Sequence, residues 1–264
     1  MAPTYHRPDS IAEAVRLKSE LGPAAEYLAG GTEVNNGRTE RPQALIDLAA
    51  LGLDTVEISA KGVSIGAGVT FQQIVEHPDV PGYLRTAALQ MVNRNIRNRA
   101  TVGGHLVVNR SCADLIPTLL AAEARVSLVD RELPLEQLLS GESGLILGVL
   151  IPATGRSFGL CNHTRTSADI SIVAAAASLD LEGDCVRRPI LAVGGVARQV
   201  VRLHGVEQAL DGRPLPAQGE LESIIAQAVH PIDDHRGSAA FKRHVASVLG
   251  GRALLDAVRR PAIG

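Results

Sequence analysis

The sequence predicts an α+β fold, built as one compact unit with a smaller appended domain. Helical and strand-like patterns alternate along all 264 residues. Turn-forming residues cluster at 152–155, where the pattern divides. A chain of this length commonly splits into two domains, and we expect them at residues 1–154 and 155–264. Trp is absent and Phe and Tyr are rare, so the core must consist of Ala, Val, Leu and Ile.

Local signals place the elements of the first domain. Ser10 is a suitable helix N-cap, and Gly22 and Pro23 end that helix. Residues 55–59 and 63–66 alternate in polarity around a short turn, which predicts a hairpin. Thr70 can cap a helix that ends before Pro78. The predicted helices are 10–21, 70–76, 82–95 and 115–124, and the predicted strands are 45–48, 55–59, 63–66, 125–129 and 145–151.

The second domain is predicted to contain one small sheet followed by helices. Three apolar stretches, at 170–180, 190–194 and 200–203, have the character of strands. Helical spacing then predicts helices at 205–210, 219–229 and 238–258.

Two glycine pairs carry the main functional signal. Gly30-Gly31 precedes Thr32, and Gly103-Gly104 follows Thr101. Glycine lets a ligand approach the main chain closely, and successive N–H groups in such a turn bind anions. We therefore expect both loops to expose consecutive N–H groups and to clamp a diphosphate. Four Gly-Gly pairs occur among the 26 glycines, so pairs alone are also compatible with simple turns.

Composition excludes several other functions. The net charge is −2 and no basic stripe occurs, which argues against nucleic acid as a partner. No apolar run reaches the ~18 residues of a membrane span, and the N-terminus lacks a signal-peptide pattern, so a cytoplasmic location is expected. The three cysteines are dispersed, whereas an iron–sulfur cluster usually needs four spaced thiolates. The eight histidines form no metal-binding pair.

A strand followed by Gly66-Ala67-Gly68 resembles the start of a Rossmann dinucleotide-binding unit. Phe71 occupies the position of the third glycine, where close packing of helix and strand is needed. A packed strand–turn–helix is therefore the favoured interpretation, with the Rossmann unit as its alternative.

Segments spread over nearly the whole chain carry a family resemblance. They are 5–14, 27–33, 65–70, 96–104, 113–121, 168–173 and 192–197. In this order they resemble the FAD-binding (medium) subunits of molybdenum hydroxylases, the xanthine dehydrogenase and carbon monoxide dehydrogenase flavoprotein family. The resemblance implies a two-lobed FAD-binding domain of the vanillyl-alcohol-oxidase-like (PCMH) type. It also implies a small C-terminal domain with a three-stranded sheet and helices.

The resemblance also implies a site for noncovalent FAD. The first loop is expected to wrap the diphosphate, the second to close from the other side, and Asp114 to hydrogen-bond the cofactor. Relatives usually carry Asn where this chain has His105, and the segment that begins at Arg165 resembles the stretch that brings the C-terminal domain of relatives near the flavin ring. The expected cofactor-binding residues are Leu28, Ala29, Gly30, Gly31, Thr32, Glu33, Val34, Ala100, Thr101, Gly103, Gly104, His105, Asp114 and Arg165.

The function implied is electron transfer within a heteromeric complex. Partner subunits would hold the molybdenum cofactor and the [2Fe–2S] clusters, and this chain would pass electrons to NAD or another acceptor. No catalytic side chain or metal ligand is expected here, and a purine such as xanthine is the first candidate substrate of the complex. The alternatives are a self-sufficient flavin oxidase or dehydrogenase and an assembly subunit without flavin.

Overall fold

The computed structural model describes residues 2–34, 41–167 and 169–259. The strands are β1 (Thr4–His6), β2 (Ala25–Leu28), β3 (Ala44–Asp47), β4 (Val56–Ser59), β5 (Gly62–Gly66), β6 (Arg125–Leu128), β7 (Glu132–Pro134), β8 (Ile146–Pro152), β9 (Ser157–His163), β10 (Val173–Glu182), β11 (Cys185–Gly194) and β12 (Val201–Arg202). The α-helices are α1 (Ile11–Leu21), α2 (Phe71–Glu76), α3 (Gly82–Leu89), α4 (Arg94–Arg97), α5 (Val102–Val108), α6 (Ile116–Ala121), α7 (Leu135–Leu139), α8 (His204–Leu210), α9 (Gln218–Ala228) and α10 (Ala239–Arg259). This mixture of helices and separate sheets confirms the α+β class.

The first lobe is a parallel sheet of three strands, in the order β1-β3-β2, with α1 packed on it. The predicted cap of α1 is confirmed, because the Ser10 hydroxyl accepts a hydrogen bond from the Glu13 N–H at 3.3 Å. Gly22 ends the helix with a φ of 61°, a conformation that glycine adopts without strain. Since β2 ends at Leu28, the first glycine pair leaves the sheet directly at its carboxyl edge.

The second lobe is an antiparallel sheet of five strands, in the order β4-β5-β8-β6-β7, covered by helices. The predicted hairpin of β4 and β5 is confirmed, with Val56 opposite Ile65. Both neighbours of β5 are antiparallel to it, which excludes the parallel β–α–β arrangement of a Rossmann unit. Phe71 is instead fully buried in the largest hydrophobic core of the described residues.

The predicted helix at 82–95 is interrupted. α3 ends at Leu89, and α4 starts afresh after Asn93. The Asn93 backbone is extended, and its side chain accepts a hydrogen bond from the Ile96 N–H at 3.0 Å. Asparagine favours such a cap over a place inside a helix, so the apolar spacing alone overestimated the length of α3.

The C-terminal sheet has four strands, in the order β12-β11-β10-β9, so the prediction of three strands was wrong. The strand that was missed, β9, contains Gly159 and Asn162, which are both poor strand formers. Gly159 serves tertiary packing, because a Cβ at this position would lie 1.9 Å from the carbonyl oxygen of Ala253 in α10. Helix packing therefore overrides local propensity here.

The C-terminal sheet shares its core with the second lobe. Ala176 of β10 and Ala192 of β11 belong to the same hydrophobic cluster as Phe71. The buried Ser178 hydroxyl donates a hydrogen bond to the carbonyl oxygen of Ala121 at 2.6 Å. These contacts hold the C-terminal sheet against the lobe that carries the second glycine pair. No helix within the described ranges is both long enough and apolar enough to cross a bilayer.

Candidate functional site

The two glycine pairs line the same cavity, although about seventy residues separate them in the sequence, and the first pair contacts the segment that leads into the second. A Cβ on Gly30 would lie 1.7 Å from the carbonyl oxygen of Arg99, so only glycine permits this approach. The Arg99 guanidinium also donates from Nε to the Gly30 carbonyl oxygen at 3.3 Å. The first loop is thereby fixed against the segment that leads into the second pair.

The second glycine pair is not a loop but the first turn of α5. Thr101 is the N-cap, and its hydroxyl accepts a hydrogen bond from the Gly104 N–H at 3.2 Å. The N–H groups of Val102 and Gly103 donate to the carbonyl oxygens of Val69 and Ala67, at 2.9 and 2.8 Å. The expectation that this pair exposes consecutive N–H groups was therefore wrong, because neighbouring backbone already occupies them.

The two glycines of this turn serve different purposes. A Cβ on Gly103 would lie 2.7 Å from the Cβ of Ala67, so this glycine allows α5 to pack against the chain after β5. A Cβ on Gly104 would meet only the Thr101 hydroxyl within 4 Å. The absence of a side chain at Gly104 therefore leaves free space beside the first turn of α5. The absence of one at Gly103 lets the helix pack closely on Ala67.

Free main-chain donors lie in the first loop instead. Gly31 has a φ of 73°, which turns the chain sharply after β2. Within the described ranges, the N–H groups of Gly31 and Thr32 donate to no other residue. The first loop therefore retains the character of an anion-binding turn that the second pair lacks.

A cavity of about 640 Å³ lies between these elements, within the range of small-molecule and cofactor sites. Of the expected site residues, it is lined by Ala29, Gly30, Gly31, Thr32, Glu33, Val34, Ala100, Thr101, Gly103, Gly104, His105 and Asp114. Apolar side chains that the sequence did not single out complete the walls, among them Leu48, Leu53, Met91, Val92, Ile96 and Ile170. The cavity thus combines polar backbone with walls suited to flat apolar rings.

Two expected residues do not line the cavity. Leu28 pairs with Asp47 at the end of β2. Arg165 is exposed and pairs with Asp169, Nε to Oδ2, at 3.2 Å. Ala168, within the segment 168–173 of the family resemblance, lies outside the described residues.

Arg110 and Glu33 form an ion pair at the cavity. Glu33 belongs to the first loop, and Arg110 follows α5. Both side chains are about one-third exposed, so the pair is worth little to stability by itself. It does connect the two walls, and no feature of the sequence around Arg110 indicated it.

His105 presents a neutral imidazole to the cavity. Its ring packs edge-on against Phe71, with the ring centres 5.0 Å apart. Nε2 is buried and has no hydrogen-bond partner among the described residues. Burial lowers the pKa of His105 to about 4, because the charged imidazolium loses its hydration.

This shift predicts a pH effect on stability. Between about pH 4 and 6.5 the unfolded chain binds a proton at His105 that the folded chain does not, so His105 costs stability as the pH falls. As the pH falls through that interval, we expect the free energy of unfolding of His105→Gln to rise relative to that of wild type. Above pH 6.5 the two proteins should show the same dependence of stability on pH. Urea unfolding of both proteins at several pH values measures this difference. A constant difference across the interval would contradict the buried neutral state.

Asp114 lies at the cavity and is 4 % exposed. Its Oδ1 accepts a hydrogen bond from the Ser171 hydroxyl at 2.6 Å. Burial raises the pKa of Asp114 to about 6, while the Ser171 hydrogen bond and the Arg236 charge act in the opposite direction. Ser171 was not predicted as a site residue, although it lies in a segment that carries the family resemblance.

Comparison with known protein families identifies the chain. Residues 1–154 match the family described as "FAD binding domain in molybdopterin dehydrogenase". This match covers more than half of the chain. The chain belongs to the FAD-binding subunits of the molybdenum hydroxylases. Residues 161–257 match the "CO dehydrogenase flavoprotein C-terminal domain", as this membership requires. The resemblance inferred from the sequence is confirmed, and the chain is an oxidoreductase subunit.

Individual relatives match over nearly their whole length. The uncharacterized protein YgfM of Escherichia coli K12 is 32% identical, and the alignment covers 94% of each chain. The xanthine dehydrogenase FAD-binding subunit of Escherichia coli O157:H7 is 27% identical, covering 97% of this chain and 96% of the relative. A chain of the carbon monoxide dehydrogenase structure from Hydrogenophaga pseudoflava has a TM-score of 0.90 at 26% identity, covering 99% and 100% of the two chains.

The residues of the cavity fit FAD. Gly31 and Thr32 offer to a diphosphate N–H donors that no other described residue occupies, and Gly104 leaves room beside the first turn of α5. The apolar walls can pack against the two ring systems of the dinucleotide. Asp114 would be repelled by phosphate but can accept hydrogen bonds from N–H or O–H groups.

Proposed function

We propose that this FAD-binding subunit transfers electrons within a molybdenum hydroxylase complex. It would receive them from a [2Fe–2S] subunit and pass them to NAD or another acceptor. The cavity between the two glycine pairs is the observation that carries this proposal, because it joins diphosphate donors to apolar walls. FAD, when bound, exchanges electrons singly or in pairs, which links one-electron carriers to a two-electron acceptor.

The proposed task of the chain's own residues is to bind and orient the cofactor without a covalent bond. Gly31 and Thr32 donate main-chain N–H groups to the diphosphate, and Asp114 accepts a hydrogen bond from a donor group of the nucleotide. His105 contributes to the cavity wall. The residues proposed to contact FAD are the expected ones that line the cavity, so Leu28 and Arg165 are left out. We further propose that the chain consists of two domains, residues 1–154 and residues 155–264.

The proposed partners are a molybdenum-cofactor subunit and a [2Fe–2S] subunit. The relatives reported above are named for two different activities, those of xanthine dehydrogenase and carbon monoxide dehydrogenase. This supports a substrate site on another subunit rather than in this cavity. Xanthine or another purine is the proposed substrate of the complex, and the cytoplasm, with its NAD pool, is the proposed location.

Purification of the tagged chain from its native host under mild conditions tests this proposal. We expect two further subunits, with molybdenum, iron and FAD in proportion to the chain. Anaerobic xanthine should then bleach the flavin absorbance, and NAD should restore it. Turnover of a substrate by the isolated chain would favour the self-sufficient oxidase instead. Co-purification of the partners without any flavin would favour the assembly subunit.

A further inference from the structure

A hydrogen-bond chain from the C-terminal sheet reaches the cavity at Asp114. The Asn162 side-chain amide in β9 donates to the Ser171 hydroxyl at 3.4 Å. The Ser171 hydroxyl in turn donates to Asp114 Oδ1 at 2.6 Å. Ser171 is fully buried, and it lies just after Ile170, which lines the cavity. The second domain therefore contacts a site residue of the first through a buried side chain.

Ser171 is the one direct hydrogen-bond partner of the Asp114 carboxyl within the described ranges. The other charged and titratable groups that face it are Arg236, from the segment before α10, and the Cys112 thiol on its own segment. Arg110 acts on the same thiol. Burial favours the neutral acid, and a hydrogen bond donated to the carboxylate favours the ionised form. Oδ2 of Asp114 makes no hydrogen bond to the described residues and so remains available as an acceptor.

We propose that Ser171, supported by Asn162, is a positioning residue for the flavin cofactor. It holds the Asp114 carboxylate in one orientation and keeps it ionised, so that Oδ2 accepts a hydrogen bond from an N–H or O–H group of the bound nucleotide. The role rests on the proposed function, since it needs FAD in this cavity. It also makes the C-terminal domain part of the cofactor site.

Ser178 provides a matched control. Its hydroxyl is also fully buried and also crosses between the two parts of the chain, to the Ala121 carbonyl oxygen at 2.6 Å. Ser178 does not line the cavity. Ser171→Ala and Ser178→Ala therefore each remove a buried hydroxyl that bonds across the two parts of the chain, and only the first of these hydroxyls bonds to Asp114.

The experiment measures the dissociation constant of FAD for the cofactor-free proteins across the pH range in which Asp114 ionises. Wild type should bind more weakly as the pH falls through about 6, because protonated Asp114 is a poorer acceptor. Ser171→Ala should bind FAD about tenfold more weakly, as expected when the hydrogen bond from the nucleotide to the charged Asp114 is lost. The midpoint of its affinity–pH curve should move to higher pH. Ser178→Ala should keep the midpoint of wild type.

Thermal unfolding of each variant checks that it folds. If Ser171→Ala does not fold, Ser171→Cys keeps a hydrogen-bond donor, although a weaker one, and should shift the midpoint of the pH dependence in the same direction. If wild type binds FAD but the Ser171 and Ser178 variants have equal FAD affinities and equal midpoints of the affinity–pH curve, the positioning role alone is overturned. A wild type that binds no FAD would overturn the proposed function itself.

Discussion

Gly30→Ala is expected to separate the two glycine pairs and to abolish tight binding of FAD. The new Cβ would overlap the Arg99 carbonyl oxygen, at 1.7 Å, and this backbone atom cannot rotate away. Overpacking of this kind costs about 3 kcal/mol. Since relief of this clash displaces the first loop, which lines the cavity, FAD affinity should fall at least about tenfold, which corresponds to ~1.4 kcal/mol. Fluorescence titration and urea unfolding measure the two effects.

Gly219→Ala is the matched control for this substitution. A Cβ on Gly219 meets nothing within 4 Å, and the residue lies in the first turn of α9, away from the cavity. Alanine should leave FAD affinity unchanged and raise stability by at most about 1 kcal/mol, because glycine is a poor helix former. If Gly30→Ala behaved like Gly219→Ala, the close approach of Gly30 to the Arg99 carbonyl oxygen would be refuted.

Phe71→Ala should cause the largest loss of stability. The ring is fully buried in the main core and supports His105 from behind. Removal of such a ring costs about 3–5 kcal/mol, through lost burial and an uncollapsed cavity. For a chain of this size that corresponds to roughly 10 °C in Tm. Differential scanning calorimetry of the purified variant tests the prediction.

Phe241→Ala serves as the comparison. Phe241 is 40 % exposed and makes an edge-on contact with His163 at 5.8 Å between ring centres. Its loss should cost about 1 kcal/mol, the value of one aromatic pair. Similar Tm values for the two variants would show that Phe71 does not anchor the core beneath the site.

Local signals in the sequence predicted much of the framework. Ser10 and Thr70 start the helices expected of them, because a hydroxyl that accepts an N–H bond is a local event. The hairpin of β4 and β5 also depends on neighbouring residues alone. The parallel strands β1 and β2 were missed, since they are short and each pairs with β3, which lies further along the chain.

The sequence predicted many of the residues that line the cavity, but not the hydrogen bonds that they make there. Twelve of the fourteen residues that the family resemblance named line the cavity, including Gly30 and Asp114. The resemblance could not show that Val69 and Ala67 occupy the N–H groups at the start of α5, because that depends on how the chain after β5 packs. Nor could it show Ser171 beside Asp114, since the contact joins residues 57 positions apart.

The central claim is that the cavity between the glycine pairs holds noncovalent FAD. The most direct test is the visible absorption spectrum of the purified chain, taken before and after denaturation, with wild type and Gly30→Ala compared. We predict flavin bands in wild type, FAD released into solution on denaturation, and weaker flavin bands in the purified variant. A colourless wild type that takes up no added FAD would contradict the claim. Colour that stays on the denatured polypeptide would contradict its noncovalent part and support a covalent flavin oxidase.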